Sequence, residues 1–187
     1  MSEVEEIAKN YMLYFLMPLW IIPGLADYLC HRRSKIETTS GLREAVLHNM
    51  MITVMGVPIL MGLLLEINAL VILLMFVAYV VHLAMALYDV AYATSKRTVT
   101  TIEQHVHSFL EVLPFMSVSF VICLHWEQFL ALFGAGSEPG RFNLEWKSIP
   151  LPASYLVSIF SAVFLLLTLP YAEEIWRCYR AAKRTQC

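Results

Sequence analysis

Charge is what this sequence has least of. Charged residues make up 15% of its 187 positions, whereas soluble domains carry about 25%. The deficit, set beside 59% hydrophobic residues, excludes a disordered chain and argues against an ordinary soluble globule. The net charge of −2 offers no basic surface, so no nucleic-acid partner is expected. Cysteine is sparse as well. Cys30, Cys123, Cys178 and Cys187 are scattered without a CxxC pair, which predicts free thiols rather than a disulfide framework. There is no GxSxG, P-loop, Rossmann fingerprint or HExxH, so a serine hydrolase or a nucleotide enzyme has no support. The run Ser2-Glu3-Val4-Glu5-Glu6 is acidic where a secretory signal is basic, which predicts no cleavable signal peptide.

What is present is apolar and long. Five stretches, 11–30, 42–65, 69–94, 100–132 and 151–169, reach or approach the ~20 residues a spanning helix needs. They do not alternate, and lipid leaves backbone groups no partner outside a helix or closed barrel, so helices are expected. The predicted fold is all-α and integral to the membrane: one transmembrane domain over 1–187, with four of its five helices bundled around a site. Pro18, Pro23, Pro58 and Pro114 are candidate kinks. Thr39 or Ser40 is expected to cap the second helix, and Thr100 or Thr101 the fourth. Pro170 is expected to end the fifth span, leaving an amphipathic cytoplasmic tail over 171–187. The loop 134–150 holds Trp146, a candidate interfacial anchor. Basic residues concentrate at Arg32, Arg33, Lys35 and Arg43, at Lys96 and Arg97, and in the tail at Arg177, Arg180, Lys183 and Arg184. Five spans put all of these on one side. The positive-inside rule then predicts the N-terminus outside and the C-terminus in the cytoplasm, in a plasma or inner membrane.

The scarce charges are not randomly placed. Four segments carry a carboxylate and a histidine on one helical face: Asp27-x3-His31, Glu44-x3-His48, His82-x6-Asp89 and Glu103-x3-His107. Segments one and three end at the predicted cytoplasmic side, and two and four begin there, so all four pairs fall at one end of the bundle. A rise of ~1.5 Å per residue sets His31, Glu44, Asp89 and Glu103 nearest the rim. Asp27, His48 and His107 lie about a turn deeper, and His82 with Glu111 deeper again.

Carboxylates without a cation are costly in an apolar interior. A pair of metal ions would remove that cost, and bundles of inward-facing Glu and Glu-x-x-His build such sites. Asp27, His31, Glu44, His48, His82, Asp89, Glu103 and His107 are therefore the candidate ligands. The ions are expected to be two irons, with zinc or manganese as alternatives. Glu111, His105 and Tyr88 are candidates to support a ligand from behind.

Plainer roles compete. Glu44 and Glu103 suit a helix's first turn, Asp89 could pair with Arg97 or Lys96, and His31 could belong to the basic loop. His105 could lie on the surface, and His125 and Glu127 read as interface residues at the opposite end. Glu173 and Glu174 are expected to pair with Arg177 rather than to cap the site.

Histidines at cytoplasmic helix ends, in Asp27-Tyr28-Leu29-Cys30-His31-Arg32 and Glu103-Gln104-His105-Val106-His107, give the first 110 or so residues an organisation that resembles integral-membrane di-iron hydroxylases and desaturases of the fatty-acid type. That family's HxxHH box is absent, and carboxylates stand where it has histidines. The resemblance implies oxygen-dependent oxidation of a lipid-soluble substrate, such as a membrane lipid, with electrons from a separate donor. The expected function is thus a membrane metalloenzyme, an oxidoreductase of lipid metabolism. The alternatives are a zinc-dependent lipid hydrolase and a non-enzymatic metal-binding sensor or transporter. The sequence leaves the oligomeric state open.

Overall fold

The computed structural model describes residues 3–185 and is helical almost throughout. Among the described residues, five helices are long and apolar enough to cross a membrane. They are α1 (Glu3–Ser34), α2 (Leu42–Leu64), α3 (Ala69–Lys96), α4 (Thr101–Leu124) and, after the short α5 (Trp126–Ala131), α6 (Ala153–Arg184). The chain fits a membrane protein on this basis. Large side chains left exposed on the spans, among them Ile22, Val57, Phe76, Phe115 and Leu165, give it the outward apolar surface that lipid favours.

The ends of the elements differ from expectation in instructive ways. α1 starts well before residue 11 because Glu3, Glu5 and Glu6 occupy its first turn, where acidic groups favour the helix dipole. α4 stops at Leu124 instead of running to 132. His125 leaves helical geometry (φ −124°, ψ 43°), and α5 starts anew. The fifth helix does not end at Pro170. A π-turn over Phe164–Thr168 lies just ahead of that proline, and another over Met12–Leu16 lies at the same offset ahead of Pro18. Proline supplies no N–H, and the wider turn shifts the bonding pattern so that the helix continues. The expected tail is therefore the C-terminal half of one long helix; residues 186 and 187 lie outside the described residues.

Pro23, Pro58 and Pro114 sit inside helices and are buried. Thr100 caps α4 as expected, accepting from Glu103 N–H at 3.2 Å. Neither Thr39 nor Ser40 caps α2; Gly41 stands there at φ 73°, a left-handed position that favours glycine. Asn68 caps α3.

Two apolar clusters hold the bundle together away from the charged end. Ile67, Val71, Ile72 and Met75 pack with Val118, Val121 and Phe129, joining α3 to α4 and α5. Ile21, Leu63 and Ile159 join α1, α2 and α6. The crossing of α1 and α6 is tight: a Cβ on Gly24 would lie 2.7 Å from Leu167 Cδ2. Gly24→Val is therefore expected to cost about 1–3 kcal/mol through overpacking, read by thermal unfolding in detergent, and adding Leu167→Ala should return part of the loss. Cys30, Cys123 and Cys178 are free.

At the end opposite the histidines, the 134–150 loop is tied to the α2–α3 junction. Glu66 N–H donates to the Glu145 carbonyl at 2.9 Å, and Lys147 N–H to Leu64 at 3.0 Å. Trp146 stands 74% exposed, as suits an interfacial side chain.

Candidate metal centre

Topology delivers the polar residues to one place. The C-terminal ends of α1 and α3 and the N-terminal ends of α2 and α4 meet, and the i, i+4 spacing points the pairs on α1, α2 and α4 inward. Asp27, His31, Glu44, His48, Asp89 and Glu103 are all buried, none more than 4% exposed.

His31 stands at the centre. Its Nε2 lies 3.3 Å from Asp27 Oδ1, 3.6 Å from Glu103 Oε1 and 3.9 Å from Glu44 Oε1. Its ring stacks on His48 with centroids 4.2 Å apart. His48 Nε2 meets Asp89 Oδ2 at 3.1 Å, and His107 Nε2 meets Asp27 Oδ1 at 2.8 Å. Imidazole–carboxylate contacts thus link α1 to α2, α1 to α4 and α2 to α3.

Three participants were not anticipated. Glu174, on α6, is fully buried and bridges the two stacked histidines: Oε2 lies 3.1 Å from His31 Nδ1 and Oε1 3.2 Å from His48 Nδ1. The expected Arg177 partner is Glu173, one residue earlier, which also pairs with Arg32. Adjacent residues on a helix point about 100° apart, so one glutamate enters the site and the other stays at the rim. Tyr171, a turn before Glu174, donates to the Gly24 carbonyl at 3.0 Å and to Asp27 Oδ2 at 2.9 Å. Tyr171, Glu174 and Cys178 form a 3–4 spaced stripe, and all three are buried.

The third is Arg97. It does not pair with Asp89. Its guanidinium, 3% exposed, reaches Glu44 Oε1 and Glu103 Oε1 at 2.5 Å each. Burial alone would lower its affinity for a proton, but the two carboxylates more than offset this and hold the group above its ordinary range.

Other expected residues fall elsewhere. His82 is buried but about two turns deeper than Asp89, and among the described residues neither ring nitrogen has a hydrogen-bond partner. Tyr88 is 44% exposed and bonded to Arg43, so it faces away from the centre, as does the exposed His105. Glu111 lines a small cavity of about 30 Å³, together with Asp27, His48, His82, Asp89 and His107. That volume suffices for one water-sized species. Asp89 Oδ1, without a hydrogen-bond partner, belongs to a residue on its wall.

The donor set can be tested for fit to a metal. Opposite ligands ~2.1 Å from an ion lie ~4.2 Å apart. Ligand atoms of Asp27, His31, Glu103 and His107 all fall within 4.8 Å of one another, and so do those of His31, Glu44 and His48. The two groups overlap at His31, and the donor atoms of either are close enough together to hold an ion. Compared with known proteins, the sequence matches no family model, and no curated protein or solved structure is significantly similar to it.

Proposed function

We propose that the chain is a membrane metalloprotein with a two-metal carboxylate–histidine centre, and that it oxidises a lipid-soluble substrate with oxygen. The observation that carries the reading is the charge balance of the buried cluster. Asp27, Glu44, Asp89, Glu103 and Glu174 are each no more than 3% exposed, and Arg97 is the cation among them. Ionised, they leave four uncompensated negative charges, which low-dielectric surroundings penalise strongly. Two divalent cations would offset all four with the histidines neutral, the form in which imidazole ligates.

Mixed carboxylate and imidazole donors suit iron, manganese or zinc, and the likeness to carboxylate-rich two-metal bundles supports iron. Bound, such a pair would supply oxygen activation. Asp27, His31, Glu103 and His107 would hold one position, and Glu44 with His48 the other. Glu174 and Tyr171 orient ligands: Glu174 fixes the rings of His31 and His48, and Tyr171 holds Asp27 by its second oxygen. The small cavity beside Asp89 and His107 would admit oxygen. In hydroxylation one oxygen atom enters the substrate and the other leaves as water, with two electrons and two protons from a separate donor. The basic residues at this end of the bundle support a site in the cytoplasmic leaflet.

Arg97 favours a second reading. A guanidinium already spans Glu44 and Glu103, so protonated histidines could balance the rest as a metal-free ion-pair network. Elemental analysis of purified protein separates the two. The metal reading expects about two equivalents of iron per chain, with one lost in His48→Ala and one in His107→Ala. Full retention in both variants would remove the ligand assignment. Wild-type protein that stays metal-free after reconstitution with ferrous iron would establish the network instead.

A further inference from the structure

A second cavity lies at the other end of the bundle, and none of the residues of the charged centre lines it. It has a volume of about 330 Å³ and opens between α1, α2, α4 and the 147–151 segment. Its walls are apolar: Trp20, Met55, Leu63, Met75, Val118 and Val121. From Leu63 to Met55 it follows α2 for eight residues, or ~12 Å. Its mouth is polar, with Lys9, Glu66, Lys147 and Ser148.

The charges at the mouth are unequally occupied. Glu66 is engaged, accepting from both the backbone N–H and the hydroxyl of Ser148 at 2.7 Å, which holds its carboxyl below the usual range. Lys147 gives one proton to the Leu65 carbonyl at 2.7 Å and has two more to give. Its burial pushes the ammonium below its ordinary range, a cost that an arriving anion would offset. Lys9 is exposed on the same rim.

We infer that this cavity binds one single-chain amphiphile, its anionic head between Lys9 and Lys147 and its apolar tail along α2 and α4. The volume is at the small end of ligand pockets, ~300–1,000 Å³, which favours one chain over a two-chain lipid. The cavity floor at Met55 and Pro114 lies one turn from Met51 and Glu111, which line the small polar cavity at the centre. The tail end of the amphiphile is thus the part offered to the centre. That corollary rests on the metal reading, whereas binding itself does not.

The test is quenching of Trp20 fluorescence by 12-bromododecanoate and by 12-bromododecanol. It uses full-length protein in non-ionic detergent, with Trp126, Trp146 and Trp176 replaced by Phe, both as purified and after chelation. Saturable quenching is expected in both preparations. Lys9→Gln with Lys147→Gln should weaken the acid about tenfold, the worth of one charge-assisted contact, and leave the alcohol within about twofold. Ser117→Phe, which fills the cavity, should abolish quenching by both. Non-saturable quenching, quenching that survives Ser117→Phe, or equal affinity for acid and alcohol that ignores the lysines would each overturn the inference. Loss of binding only after chelation would overturn its independence from the centre.

Discussion

Arg97→Met is expected to destabilise the protein by about 3–5 kcal/mol, the range for removing one partner of a buried charge pair. Glu44 and Glu103 would then face each other across the space the guanidinium fills, each with no more than 1% of its side chain exposed. Arg97→Lys should recover only part of the loss, because an ammonium lacks the planar fork that reaches two carboxylates at once. Adding Glu44→Gln and Glu103→Gln to Arg97→Met should recover more, since uncharged amides no longer need a cation. Thermal and denaturant unfolding in detergent checks all three. An Arg97→Met protein as stable as wild type would mean that Arg97 does not carry this charge in the membrane.

The second large effect concerns two neighbouring glutamates. Glu174→Ala removes the acceptor shared by His31 and His48. Each contact with a charged acceptor contributes about 1.5–3 kcal/mol, and losing an orienting partner lowers metal affinity about 10–100-fold. Glu173→Ala removes ion pairs with Arg32 and Arg177 at the rim, and partly exposed pairs contribute about 0–1 kcal/mol. Metal titration and unfolding should therefore distinguish substitutions one residue apart. Equal effects would show that α6 stabilises the bundle without serving the centre.

How much of this could be read from the sequence follows from the spacing of the residues. The pairs at 27/31, 44/48 and 103/107 were legible because an i, i+4 pattern fixes a shared face in any helix, wherever its neighbours lie. Their common depth followed from connectivity. His82 lies on the shared face but about two turns deeper than Asp89, so it joins the wall of the small cavity and not the imidazole–carboxylate contacts. Tyr88 and His105 were placed near the site by sequence distance, while their directions put them at the surface. The sequence favours an ion pair for Glu174 over a place at the site and does not mark Tyr171, because α6 turns amphipathic after Pro170 and reads as a surface tail. A buried polar stripe and a solvated one have the same period, and only packing against α1 and α2 tells them apart. Arg97 was assigned to topology, which rim arginines serve, because nothing local shows that a residue between helices folds back beneath them.

The position of Glu174 has a consequence for biogenesis. Domains form from the N-terminus onward as the chain is made, and the cluster's other carboxylates lie on α1 to α4. A nascent bundle ending at α4 would already hold the stacked histidines but not the acceptor that fixes both rings. Docking of α6 is thus the step that completes the cluster. On the metal reading, an ion captured earlier would meet loosely held ligands, and loading after α6 has docked is the order this arrangement favours.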